Sequence, residues 1–566
     1  MKPILRSVAT ATVLAQMLAG AGCQHVERYI HNGFKVGPNY CPPAAPVKDH
    51  WIDSADRRVR SDTDDLSDWW TVFGDPLLNR FMRDAYTQNL TLRQAGFRIL
   101  QARAIRGIAG GNFFPQQQNA DGSYRRSVSN LNFFDSWDFG FNLSWELDFW
   151  GRYRRAITSA DDALEASVLD YDDVLVTLLG DVAVNYTVIR TSQERIRLLS
   201  EIILIQEDVL DFIKGRLQAG AVTDLDRAQA ESNLEQSRAQ IETLKIDLRT
   251  SQNQLCVLMG MSPQDLSTIL ASAPNTNIPK APEFIVAGIP ADLLSRRPDV
   301  RRAERLAAAQ AEQIGIAETD WYPAITINGT IGWQANNFSD LFRPRAMNAS
   351  VGPSFQWNLL NYGRILNNVR LQDATLQELL VQYQSTVLQA DLEVENGITI
   401  YLQSHERARH LETSVDNAYV ALRVVVSQYE AGLQGVDFNR YATILQQLIN
   451  QQDSWIQSRG QIAQGLIQVY RALGGGWQIR CQPEVDKRGT LSAFPEGKPE
   501  DAEATEMPLQ AGPNPLPVPP DAAPLPAAAK PAEEAGEKVD PAVDAIKGAW
   551  QRRNAAIQNS SLSNAD

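Results

Sequence analysis

The sequence predicts an α+β membrane protein in which a long α-helical coiled-coil barrel continues into a transmembrane β-barrel. A trimer shares that barrel with four strands per chain, and each chain carries an internal two-fold repeat. Three observations carry this. Eight apolar residues stand one heptad apart, at Val168, Leu175, Val182, Ile189, Ile196, Ile203, Leu210 and Leu217. The ladder returns 212 positions later as Leu380, Val387, Val394, Tyr401, Ala408, Val415, Leu422 and Tyr429. Between and before the ladders, short segments alternate apolar and polar residues with a period of two. A heptad spacing held this long demands an underwound helix packed along its length against others.

In chain order, Lys2 and Arg6 precede an uncharged stretch from Ser7 to Leu18, followed by Ala19-Gly20-Ala21-Gly22-Cys23. That pattern reads as a secretory signal over residues 1–22, so the chain is expected to be exported. Gly22-Cys23 resembles the end of a bacterial lipobox, with Gly20 where Leu is usual, and predicts covalent lipid on Cys23. Ordinary cleavage after Ala21 is the alternative. Residues 23–75 then form an extended N-terminal segment.

The first repeat covers residues 76–262 and the second 291–474, joined by a linker over 263–290. Gly151-Arg152 matches Gly363-Arg364 and Ala219-Gly220 matches Ala431-Gly432, both at an offset of 212. Outside that block Phe114-Pro115 answers Tyr322-Pro323, and Met259-Gly260 answers Leu473-Gly474. Each half is thus a domain-sized unit of about 200 residues.

Within each repeat a strand pair precedes a helical hairpin. Trp137, Phe139, Phe141, Leu143, Trp145 and Leu147 alternate with Asp138, Gly140, Asn142, Ser144, Glu146 and Asp148. In the second half Ile325, Ile327, Ile331 and Trp333 alternate with Thr326, Asn328, Thr330 and Gln334, and Val351, Phe355, Trp357 and Leu359 alternate with polar neighbours. Gln117 to Ser129 alternates poorly, and only the repeat argues for a strand there. Such segments put one face in an apolar medium and the other in water. They suit a membrane barrel or a half-buried soluble hairpin. The export signal favours the barrel.

No stretch past the signal approaches the roughly 20 apolar residues of a spanning helix, so membrane entry is expected through strands. Four strands cannot close a barrel, and lipid does not tolerate open edges. Two copies would supply a bore filled by side chains, whereas three leave room for water. A trimer is therefore expected. Arg152 to Gln218 predicts one helix of roughly 100 Å at 1.5 Å per residue, returning through Asp224 to Leu258, the scale of a periplasm.

Catalytic chemistry is absent from the pattern. His405 and His410 are five apart, which does not set both on one helix face for a metal, and they read as solvated. Cys256 in its apolar helix reads as inert packing, and Gly474-Gly475-Gly476 reads as a helix end, since no Lys-Ser/Thr follows. No nucleophile, base and orienter stand together, so no enzyme, cofactor or metal is expected. The net charge of −14 argues against nucleic acid as a partner and, on a channel's water face, favours neutral or cationic solutes.

Several strings carry a resemblance. They are Val36-Gly37-Pro38-Asn39-Tyr40, Trp69-Trp70 with Phe73, Asp75-Pro76-Leu77, Asn89-Leu90 and Gln101-Ala102-Arg103. The most specific are Arg296-Arg297-Pro298-Asp299-Val300, with Leu294-Ser295 before it and Ala303-Glu304 after, and Ala472-Leu473-Gly474-Gly475-Gly476-Trp477. Over residues 36 to 480 the chain resembles the outer-membrane efflux lipoproteins of the TolC-like family, NodT and OprM branch. The resemblance implies a homotrimeric channel with a twelve-stranded barrel, an α-helical periplasmic barrel and an equatorial belt that includes residues 475–486. Its implied partners are a periplasmic adaptor protein, an inner-membrane pump and outer membrane lipid. The place is the outer membrane of a Gram-negative-type cell, lipid-anchored and extending into the periplasm.

Both helical hairpins turn where glycine permits φ > 0, at Gly220 with Thr223, Asp224 and Asp226, and at Gly432 with Asp437 and Arg440. The resemblance makes these turns the periplasmic tips that meet the adaptor and constrict the pore. It places Arg440 and Thr443 where carboxylates are common, which predicts a mixed ring of Asp437 and Arg440, paired between hairpins or solvated. It also sets Cys41 and Cys481 at chain ends on the belt, as a disulfide or as two free thiols.

The last residues depart from the family. Thirteen of the 29 prolines lie between Pro483 and Pro541, interleaved with Ala and Glu, so residues 487–566 read as a disordered tail. Ala542 to Ile557, with Trp550, Arg552 and Arg553, could make a short helix; the tail serves a partner or serves nothing. Three functions follow from the whole: an efflux exit duct passing drugs or other small solutes, a type I protein-secretion duct of the same fold, or a non-conducting coiled-coil tether.

Overall fold

A computed structural model describes residues 29–62, 65–129, 132–272, 277–431 and 437–481. The signal, Cys23, Gly432 and the Pro-rich tail lie outside the described residues. The chain divides into two compact units. The larger holds the residues up to Arg197, Ile241–Asn417 and Asn450–Gln478; the smaller holds Leu198–Gln240, Ala418–Ile449 and the residues from Ile479.

The first half runs α1 Pro76–Gln88, α2 Leu90–Gly111, β1 Gln117–Ser129, β2 Asn132–Glu146, α3 Arg152–Gln218 and α4 Asp224–Leu258. The second runs α5 Pro298–Thr319, β3 Ala324–Ala335, β4 Met347–Gln356, α6 Arg364–Glu430 and α7 Phe438–Ala472. The repeat is kept residue for residue in the helices. α2 and α5 each have 22 residues, α3 and α6 have 67, and α4 and α7 have 35. The offset between halves is 208 at α2 and α5, 212 at α3 and α6, and 214 at α4 and α7. Insertions in the second half therefore fall in its strand hairpin and its helical turn.

Local chemistry sets the helix ends. Asp75 caps α1, its carboxylate accepting from the N–H groups of Leu77 at 2.9 Å and Leu78 at 3.3 Å, with Pro76 at the first position, where no N–H is needed. Asn89 caps α2 through Leu92 N–H and donates its amide to the Leu258 carbonyl at 2.8 Å, tying α2 to the end of α4. Gly260 and Gly474 end α4 and α7 in the left-handed region, with φ of 69° and 72°. The next N–H reaches back to Cys256 or Tyr470 at 2.9 Å, as a Schellman motif requires. The glycine run is thus a helix end.

The heptad ladders form the core. Leu175, Val182, Ile189, Ile203 and Leu210 are buried, as are Val387, Val394, Tyr401, Ala408, Val415 and Leu422. One expectation is corrected here. α3 contains an 18-residue window of mean hydropathy 1.3, apolar and long enough to cross a membrane, but 61% of it is buried against the protein, so its apolarity serves packing. His405 is corrected too: it is half-buried with its ring 4.6 Å from that of Tyr401, and burial lowers its pKa. Cys256 is fully buried, as expected of packing.

The four strands make one antiparallel sheet in the order β1-β2-β3-β4, with β1 and β4 at its edges. A separate two-residue parallel bridge joins Val59–Arg60 to Ile285–Val286. β1 pairs with β2 over its whole length, so the repeat located a strand that alternation alone did not. β4 stops at Gln356, leaving Trp357 and Leu359 beyond it.

Candidate channel surfaces

Because side chains alternate across a strand, the register decides which residues share a face. Phe141 stands opposite Ala120 and Ile331, Leu143 opposite Gln118 and Gly329, and Phe139 opposite Gly122 and Trp333. Ile331 and Gly329 face Ala349 and Val351 in turn. One side of the sheet is therefore almost wholly apolar, and it is exposed: Val351 is 81% accessible and Phe355 74%. A surface of that size and kind needs an apolar partner.

Aromatic side chains gather at both ends of this band. Beyond its centre toward the β3–β4 loop, Trp137 lies 4.4 Å from Tyr124 and 5.0 Å from Phe338, and Phe342 lies 5.8 Å from Phe139. At the other end Trp150 stacks on Tyr322 at 4.5 Å and meets Phe149 at 4.8 Å. Trp145 and Trp357, related by the repeat, each donate an indole N–H to a backbone carbonyl, of Phe113 at 3.1 Å and Trp321 at 2.9 Å. Trp137 to Trp145 spans eight steps, or roughly 27 Å along the strand. Two aromatic girdles bounding an apolar band are the pattern of a strand sheet facing lipid.

The opposite face is polar and hydrogen-bonded across strands. Ser144 donates to Asn328 at 2.9 Å and Asn328 donates to Ser354 at 2.8 Å, a chain crossing three strands. Thr330 and Ser350 share a hydroxyl bond at 2.8 Å, Asn142 donates to Asp121 at 2.5 Å, and Ser136 to Asp138 at 2.9 Å. Asp121, Asp138 and Glu146 stand on this side with Arg125. It can hold water and a solute.

The hairpin tips belong to the smaller unit. Gly220 has φ 70°, and Ala221 N–H donates to the Arg216 carbonyl at 2.9 Å, closing α3. Thr223 and Asp226 form a reciprocal cap on α4. The Thr223 N–H and hydroxyl donate to the Asp226 carboxylate at 2.9 and 2.8 Å, and Asp226 N–H donates to the Thr223 hydroxyl at 3.4 Å. Asp224 pairs with Arg227 at 3.4 Å at the surface. In the second tip the Asp437 carboxylate accepts Arg440 N–H at 3.0 Å, so Asp437 caps α7, and both residues are exposed. The sequence reading had missed Arg216, which sits 5.6 and 5.3 Å over the rings of Phe212 and Tyr429 and brings the ends of α3 and α6 together.

Cys41 and Cys481 are exposed free thiols, so the disulfide is not formed. Two chain ends on one belt need not come within the Cα separation of about 4.4–6.8 Å that a disulfide requires.

Comparison with known proteins follows this geometry. The outer membrane efflux protein family matches residues 82–261 and 289–475. The pyoverdine export outer membrane protein OpmQ of Pseudomonas aeruginosa is 31% identical over 435 residues, covering 74% of this chain and 89% of that relative. Nodulation protein T of Rhizobium leguminosarum bv. trifolii is 29% identical over 408 residues, covering 71% and 86%. The solved outer-membrane channel OprN is similar with a TM-score of 0.73 and 26% identity, over 78% of this chain and 99% of that one.

Proposed function

This chain belongs to the outer membrane efflux protein family and is an outer-membrane exit duct, and from that premise we propose that it works as a homotrimer in a tripartite pump. A periplasmic adaptor and an inner-membrane transporter are its partners, and energy is supplied by the transporter. The observation that carries the trimer is the open sheet. β1 and β4 end it on both sides, while its apolar face is exposed. Unpaired strand edges in hydrocarbon cost several kcal/mol per lost hydrogen bond, so β4 of one copy must pair with β1 of the next. Three copies give the bore water needs.

The duct itself does no chemistry. Its polar face offers hydroxyls, amides and three carboxylates beside Arg125, which favours neutral and cationic solutes over anions. The named export of pyoverdine by one relative supports small-solute cargo here. Covalent lipid on Cys23 anchors the chain; the mass of the mature N-terminal peptide checks this, and an unmodified Cys23 refutes it. For the assembly, amine crosslinking of detergent-purified protein should end at a covalent trimer. A series ending at monomer or dimer overturns the shared barrel.

A further inference from the structure

The two strand hairpins of the sheet end differently. β1 and β2 stay paired up to Ser129 and Asn132, whereas residues 336–346 separate β3 from β4. The loop they form is packed and hydrogen-bonded. Short 3-10 turns over Phe338–Asp340 and Pro344–Ala346 frame it, and the Leu341 and Arg343 N–H groups donate to the carbonyls of Phe338 and Asp340, each at 3.2 Å. The Leu341 side chain is buried. Passive conduction through the bore has no need of such a loop.

Its aromatic side chains fix where it lies. Phe338 packs on Trp137 at 5.0 Å, and Phe342 on Phe139 at 5.8 Å and Trp333 at 6.0 Å. All three ring partners belong to the apolar face, so the loop folds back over the lipid side of the sheet and not over the bore. Phe139 and Trp333 stand two strand positions inside Trp137 and Ala335, so Phe342 reaches roughly 7 Å down from the strand ends. Both phenylalanines remain largely exposed there, at 62% and 61%. The hairpin turns lie at the end of the sheet away from the starts of α3 and α6, which makes this the outer rim of the membrane band.

The loop carries charge at that rim. Asp340, Arg343 and Arg345 are its ionic groups, so two cations and one anion leave it positive in a chain of net charge −14. Both guanidiniums reach the same oxygen, Asp340 Oδ1, at 2.9 and 2.8 Å, and one carboxylate therefore draws two cations to one point. The arginine side chains are more than half exposed and the Asp340 side chain only about a quarter, so most of the N–H donors stay open while the carboxylate is covered. An aromatic girdle marks the boundary of hydrocarbon and headgroup. The anions at that depth that match two guanidinium forks are the phosphates of lipid headgroups.

We propose that the β3–β4 loop is a binding site for a phosphorylated lipid of the outer leaflet, with Arg343 and Arg345 gripping the headgroup phosphate and Phe338 and Phe342 lying against the acyl chains below it. The proposal rests on the apolar face meeting lipid and not on the number of copies, since each chain carries a whole site. The contact fixes the depth of the sheet in the outer leaflet. Being charge-assisted and partly open to water, it weakens as salt rises.

Native mass spectrometry of the full-length protein in neutral detergent, titrated with lipid A, a glycolipid with a phosphate on each of its sugars, tests the site. The parent should take up one lipid per chain, and Arg343→Gln with Arg345→Gln should need about tenfold more lipid for the same occupancy. Each single variant leaves one guanidinium on Asp340 and should need a smaller excess, which keeps the test available if the double variant does not fold. The dephosphorylated glycolipid should bind the parent no better than the double variant does. Inorganic phosphate at the same concentration should not displace lipid A. Equal occupancy of parent and variants would overturn the site, and displacement by inorganic phosphate would overturn its assignment to a lipid. The detergent belt of the same samples, weighed by light scattering, reports the lipid-facing band separately: a parent without a belt would sink that reading and the site with it.

Discussion

Asp173 lies half-buried on α3, and desolvation, reinforced by the Asp299 carboxylate, pushes its carboxyl up to about 6 despite Arg297 and Arg302 nearby. Its folded pKa is above its unfolded one, so the native state binds the extra proton between roughly pH 4 and 6. Stability is therefore gained as pH falls through 6 and absent above it. Asp173→Asn should raise the stability of the purified protein at pH 7.5 by about 1–2 kcal/mol and flatten its melting temperature between pH 7.5 and 5. An unchanged melting temperature at both pH values would count against the burial argument. The neighbour responsible shows the limit of sequence reading at this scale. The Arg-Arg-Pro-Asp-Val string was legible as a family mark, but not its work. Arg297 grips Asp299 at 2.7 Å, Glu393 at 2.8 Å and the Ala472 carbonyl at 2.8 Å, joining the start of α5, the middle of α6 and the end of α7. Those partners are 96 and 175 positions away for Glu393 and Ala472, and no local pattern announces them.

Elements with a strict period were legible almost to their ends, because a heptad ladder or an apolar alternation is itself the packing surface. α3 and α4 occupy the spans the sequence indicated. β1 was hidden because its lipid-side positions include Ala120, Gly122 and Arg126, which fit a sheet through their neighbours Phe141, Phe139 and Asp135 rather than through their own hydropathy. At the tips a further duty was not legible: Thr223, Asp226 and Asp437, read as tip residues, also cap α4 and α7. Asp437→Ala should therefore loosen the start of α7 by about 1 kcal/mol, whereas Asp437→Ser keeps an acceptor and most of the cap. Faster hydrogen exchange of the first-turn amides in the Ala variant alone would show it; equal exchange in both would leave Asp437 no capping role.

At the scale of the assembly, the same pair of variants separates capping from gating. With three copies pooling their sheets the bore admits water, so conductance is set by the narrowest ring, which the resemblance places at the tips. Asp437 and Arg440 are both exposed and belong to one helical turn, and their side-chain charges remain free to meet those of a neighbouring hairpin even while the Asp437 carboxylate holds the backbone. If that meeting closes the ring, removing the charges should open it whether or not the cap survives. Asp437→Ser with Arg440→Ala should then raise single-channel conductance in a planar bilayer as much as Asp437→Ala with Arg440→Ala. A rise confined to the Ala pair would assign the effect to a frayed helix end, and unchanged conductance in both would leave the duct without a gate at this ring.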